Sequence, residues 1–191
     1  MATLSSPLLS SATVNHLQRI RTLSRLMVWA CVALITVLPL ALVWYWASSP
    51  AAELASQGNL PANAIQLPLQ AWQRVAAGAV TTVPLVLLLL GLWQAKRCFS
   101  EFAQGQVFTA QATGHLRRFA GWVAAAALAA IVAAALTSVL LTLQNPPGAR
   151  HVAIGLSSNH LFTLFFAALV WLMADVIGQG QALAEENARF V

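Results

Sequence analysis

Charge is what this sequence has least of. Only 8% of its 191 residues are Asp, Glu, Lys or Arg, against about a quarter in soluble domains. Acids are the scarcer sign, five against ten basic residues, so the formal net charge is +5. With 59% hydrophobic residues and a mean hydropathy of +0.73, the composition favours a membrane protein. A pI near 10.7 would suit nucleic acid, but the basic residues flank apolar runs instead of forming a dense patch interleaved with aromatics, so no direct nucleic-acid contact is expected. The two cysteines, Cys31 and Cys98, have no paired metal or redox spacing and read as free thiols. Also missing are a local Ser-His-Asp signature, HExxH and a phosphate-cradling glycine loop. Glu185 and Glu186 are neighbours, so on a helix they diverge by about 100° and make poor acid-base partners. His151 and His160 have no Cys or carboxylate nearby to complete a metal site. The expectation is a protein that is not an enzyme and has no cofactor and no metal.

What the sequence does have is four long apolar runs, at 26–46, 75–93, 119–143 and 161–177. Each is near the ~20 residues that cross a bilayer, and the first exceeds the ~7–15 of a cleavable signal core. The fold class expected is therefore all-α: a polytopic membrane protein with four transmembrane helices in one domain, 26–191, after a polar and basic segment, 1–25. Val14, Leu17, Ile20, Leu23 and Met27 would give that segment an apolar stripe along the membrane surface. Four spans put both termini on one side. Arg19, Arg21, Arg25, Lys96, Arg97, Arg117, Arg118 and Arg189 then share that side, with Arg74 and Arg150 opposite. This asymmetry predicts cytoplasmic termini, with the lipid bilayer as the first partner.

Several finer expectations attach to the spans. Trp44, Tyr45 and Trp46 should settle at the outer headgroup level. Pro39 and Pro84 should kink their helices, with Thr36 and Thr81 satisfying the freed carbonyls. The loop at 48–73 has a helix-stopping composition, and its 64–69 stretch would form a short strand pairing with Val152, Ile154 and Leu156. In the third span Gly121, Ala125, Ala129, Ala133 and Thr137 form one small-residue stripe, and Ala126, Ala130, Ala134 and Ser138 a second. Small residues allow close helix approach, so this span is expected at the centre of a four-helix bundle. A homo-oligomer through one stripe is the competing use, and the intramolecular contact is preferred.

The longest polar connection, 96–122, reads as a cytoplasmic hinge. Gly105 permits the turn out of the second span, and Thr109 caps the helix that begins at Ala110. His115, Arg117 and Arg118 lie on the last turns before the third span enters the membrane. Asp175, near the inner end of the fourth span, and Glu185 and Glu186 in the tail offer the opposite charge. Pairing of these acids with Lys96, Arg97, Arg117 or Arg118 would close the cytoplasmic face.

The hinge FAQGQVFTAQATGHLRRFAGW, the NPPG turn followed by Arg-His-Val-Ala-Ile, and the tail ADVIGQGQALAEENARFV together resemble a bacterial four-helix membrane family catalogued as domain of unknown function twenty-nine seventy-five. The resemblance covers roughly Trp29 to Val191. It rests on Gly105 followed by Phe108 and Thr109, on a leucine before Arg117 and Arg118, and on Glu185, Glu186 and Asn187. Where members often end in a Thr-Val pair, this chain has Ala-Arg-Phe-Val. The resemblance implies four membrane helices, the bacterial cytoplasmic (inner) membrane, and in many members a neighbouring gene for a small helix-turn-helix regulator, with no established activity. Two functions from different classes follow as expectations. One is a non-catalytic regulator or scaffold whose hinge and tail bind a partner protein. The other is a small oligomeric transporter or channel with Asp175 on its pathway, since an acid inside a span is a functional candidate by default.

Overall fold

The structure is a computed structural model describing residues 7–188 apart from 62–63, 66–67 and 106–108; the side chains of 7–17, 20, 184, 185, 187 and 188 are also outside the described set. Five helices make up its regular structure: α1 (Pro7–Ser48), α2 (Ala51–Gln57), α3 (Ala71–Ala103), α4 (Ala110–Thr142) and α5 (Ser158–Ala188). All but α2 are long and apolar enough to cross a membrane. The protein is an all-α, multi-pass chain. α3 and α4 have 33 residues each, or ~50 Å, against a hydrocarbon core of ~30 Å. Their apolar runs start near one end, so the surplus length projects beyond the membrane at the other, the end that carries both termini. We call this the terminal end, and the opposite one, with α2 and the α4–α5 connection, the loop end.

The expected closed bundle is instead an open row. α1 packs on α3, α3 on α4 and α4 on α5, while among the described residues no extended contact joins α1 to α5. Within lipid the outer faces of α1 and α5 have no hydrophobic reason to close on each other, so packing follows the short connections between sequence neighbours. The expectation for the third span holds: α4 lies inside the row, shares that place with α3, and also touches α2. Ala126, Ala127, Ala133, Thr137 and Ser138 are buried within the single chain. Gly91 of α3 shows how close the approach is, since a Cβ there would meet Trp122 Cβ of α4 at 3.3 Å.

The loop end departs most from the sequence reading. No strand occurs among the described residues. The 48–73 connection contains α2 instead, because Pro50 and Gly58 sit at its two caps and bound a helix rather than break one. α2 buries Leu54 and Ala55 in a cluster with Trp46, Leu60, Ile65, Ala77 and Leu141. The 151–157 stretch is irregular, held by side chains in place of a ladder: Ala153 N donates to Ser138 Oγ at 2.9 Å, and His151 N to Thr142 Oγ1 at 3.2 Å. Trp46 is buried against the protein, and Tyr45 donates to Glu53 O at 3.2 Å, which leaves Trp44 as the exposed member of that trio. Thr36 and Thr81 bond to carbonyls earlier than those freed by the prolines: Thr36 to Val32 O and Ala33 O, Thr81 to Gly78 O. A hydroxyl in a helix reaches three or four residues back, whereas the freed carbonyls belong to Ile35 and Val80.

Arg74 and Arg150, the two basic residues on the minority side, both bond main-chain carbonyls. Arg74 Nη1 donates to Trp46 O and Ala47 O, each at 3.3 Å, a cation at the C-terminus of α1 where the helix dipole is negative. Arg150 Nε donates to Asn145 O at 3.2 Å.

Candidate functional site

At the terminal end the projecting helix ends build two polar seams. Between α3 and α4 the connection is set locally. Gly105 takes a φ of +88°, a region closed to most side chains, with the Arg21 guanidinium of α1 lying against it. Thr109 caps α4 by accepting from Ala112 N at 3.2 Å. The Thr109 hydroxyl also donates to Glu101 Oε2 at 3.4 Å, and Glu101 Oε1 lies 3.6 Å from His115 Nε2. His115 Nδ1 is 2.7 Å from Gln94 Oε1. Cys98 is buried beneath this network, its Sγ 3.5 Å from Ala112 O.

Between α4 and α5 the central group is Arg117. Its Nη1 lies 3.3 Å from Asp175 Oδ1, and its guanidinium carbon is 5.1 Å from the centre of the Trp171 ring. Trp171 and Asp175 are one turn apart on α5, as Arg117 and Gly121 are on α4. Gly121 leaves the room, since a Cβ there would meet Trp171 Cζ3 at 3.2 Å. The ion pair is not enclosed by the protein, with 56% of the Arg117 side chain and 38% of the Asp175 side chain exposed. Screening limits such a pair to about 0–1 kcal/mol. It orients the helices more than it holds them.

Beyond the ion pair the two helices part around a groove of about 490 Å³ lined by Ala110, Thr113, Gly114, Arg117, Ala174, Asp175, Gly178, Gln179 and Ala182. Apart from their own helix backbone and chain neighbours, nothing among the described residues lies within 4 Å of where a Cβ on Gly114 or Gly178 would be. Thr113 Oγ1 reaches Gln181 Oε1 only at 3.5 Å, and Gln181 Nε2 is buried without a hydrogen-bond partner among the described residues. The groove wall is thus glycine and alanine backbone with one ion pair at its edge. Further into the membrane the same seam turns mostly apolar, with Phe119, Val123, Phe162, Phe166, Ala167 and Val170 around the next cavity beside the polar Asn159 and Thr163.

Of the residues singled out by sequence, the structure joins Arg117 to Asp175 and places Gly105 and Thr109 at the α3–α4 turn. Lys96 and Arg97 go elsewhere: Lys96 Nζ is 4.9 Å and Arg97 Cζ 5.7 Å from the ring centre of the exposed Trp93. There they serve as a boundary anchor of the kind cations and tryptophans form at membrane surfaces. Arg118 and Glu186 are exposed. Phe108 and the side chains of Glu185 and Asn187 lie outside the described residues. Glu101, Gln94 and Trp171 were missed, and Gly121 was read only as part of a small-residue stripe. The four-residue spacings Arg117–Gly121 and Trp171–Asp175 were available as signals, but nothing in the sequence pairs one with the other.

A model of the family described as "Protein of unknown function (DUF2975)" matches residues 58–191. The chain belongs to this family. The match takes in α3, α4, α5 and both polar seams, and it begins after α1 and α2, so the resemblance read over 29–57 lies outside it. No curated protein and no solved structure matches the chain. What the DUF2975 match covers is thus the part that builds the groove.

Proposed function

We propose that this DUF2975 protein is a non-catalytic membrane regulator or scaffold with cytoplasmic termini, whose terminal-end face, hinge and tail together, binds a partner protein. The observation that carries the reading is the groove between α4 and α5, open, floored by Gly114 and Gly178 and bordered by the exposed Arg117–Asp175 pair. Glycine-lined walls let another helix approach closely, and a charge pair at the rim fixes its register. The eight-to-two distribution of basic residues supports the cytoplasmic placement, and the resemblance supports a bacterial inner membrane. The small helix-turn-helix regulator implied by that resemblance is the first partner to try.

Asp175 is also where a transport reading would begin. Against it stand the Arg117 partner and the mostly apolar cavity that follows along the seam, whose polar lining residues are Asn159 and Thr163, since a coupling acid needs a continuous polar route in both directions. The test is capture of the regulator by protein purified in mild detergent, beside solute and proton flux in reconstituted vesicles. Capture that is lost in Gly178→Leu, with flux no greater than in empty vesicles, is the expected result. Flux above empty vesicles that disappears in Asp175→Asn would overturn the reading in favour of transport. Topology is checked by fusing a reporter active only in the cytoplasm at Val191 or at Gly148, where the chain is exposed and open. Signal is expected from Val191 alone.

A further inference from the structure

A second groove, of about 450 Å³, lies at the opposite end of the molecule in the seam between α1 and α3. Arg74, Gly78 and Thr82 line its α3 wall at four-residue spacing, so they follow one helix face for ~12 Å. The Trp46 ring covers Gly78, where a Cβ would come within 3.3 Å of Trp46 Cγ. Thr82 donates its hydroxyl to Gly78 O at 2.8 Å, so it offers the groove no unsatisfied donor. Val43 and Val75, both largely exposed, form the rims.

Arg74 is the one charged residue in this lining. Its Nη1 bonds the α1 carbonyls, but its other guanidinium donors have no hydrogen-bond partner, and no carboxylate pairs with it, among the described residues. A guanidinium has five N–H groups in a planar fork matched to phosphate oxygens. The exposed Trp44 and Trp72 near the same helix ends mark the headgroup level of the bilayer. A cation at headgroup level above an apolar trough fits an amphipathic anion of the membrane itself. We propose that this groove holds one phospholipid of the leaflet at the loop end, with its phosphate on Arg74 and an acyl chain along Gly78 between α1 and α3. A free phosphate ion would leave the trough unused, and an uncharged lipid would leave the guanidinium unpaired. The proposal does not rest on the function suggested for the terminal end.

Native mass spectrometry of the detergent-purified chain supplied with phosphatidylglycerol tests it. Wild type should retain one lipid. Arg74→Gln keeps a donor for the α1 carbonyls and drops the charge, whereas Val43→Trp fills the trough from its rim and leaves Arg74 alone. Both should lower retention by about tenfold or more, as expected for loss of a charge-assisted bond or of the space for a chain. Arg150→Gln, at the other arginine of this end, should retain lipid as wild type does, and excess glycerol phosphate should not displace it. Wild-type retention in either Arg74→Gln or Val43→Trp would overturn the proposal. So would an equal loss in Arg150→Gln, which indicates a general charge effect, or displacement by glycerol phosphate, which indicates a plain anion site.

Discussion

The loop end and the terminal end of the α4–α5 seam join helices by opposite means. At the loop end Leu54 and Leu141 are 0% and 1% exposed, and buried side-chain amides tie distant carbonyls: Gln73 Nε2 donates to Leu140 O at 3.0 Å, and Asn145 Nδ2 to Ala64 O at 2.7 Å and Ala149 O at 2.9 Å. At the terminal end of the α4–α5 seam the contacts are an exposed ion pair, a cation over an indole and a groove. A buried donor that loses its partner is expensive, whereas an exposed ion pair contributes little. The contrast is one of holding strength: the loop-end cluster fixes the helices it joins, whereas the terminal end of the α4–α5 seam is the loosely held part.

The sharpest way to break this comparison is to empty the loop-end cluster. Leu141→Ala should cost about 2–5 kcal/mol in reversible unfolding in detergent, the usual range for a buried leucine; a loss under about 1 kcal/mol would mean the cluster is not the anchor. Asn145→Ala leaves the Ala64 and Ala149 carbonyls without their donor, and a loss of about 1–3 kcal/mol is expected by the same measurement. Ala133→Leu tests the middle of the row. Ala133 is buried on α4, so overpacking should cost about 1–3 kcal/mol, and an unchanged melting temperature would put that face in lipid. The smallest effect belongs to the terminal end, where a double-mutant cycle on Arg117→Asp and Asp175→Arg should return a coupling below about 1 kcal/mol. A larger coupling would show that the seam holds the fold after all.

The four spans were legible because length and hydropathy are local properties. The Thr109 cap and the Gly105 turn were legible for the same reason, each being decided within a few residues. What escaped depends on contacts across tens of residues. Pro50 and Gly58 looked like helix breakers until the packing of Leu54 against Leu141 gave the short α2 a reason to form. The burial of Trp46 escaped because Gly78, 32 residues on, was not known to face it. Arg117 was one of four cations offered to Asp175, and the choice was made by Gly121, which lets Trp171 stack beneath it. Lys96 and Arg97 were drawn instead to Trp93 on their own helix. The polar face was predicted in outline, but its groove was not, because an opening between two helices has no sequence signature.

The division of labour between the ends is tested most directly by amide hydrogen exchange of the reconstituted protein, which reads local opening. The account makes an inverted prediction: His151 and Ala153, in an irregular segment but bonded to Thr142 and Ser138, should exchange more slowly than Gly180 and Gln181, which are helical but lie on the projecting part of α5. Slower exchange at Gly180 and Gln181 than at His151 and Ala153 would contradict it, placing the rigid anchor at the terminal end.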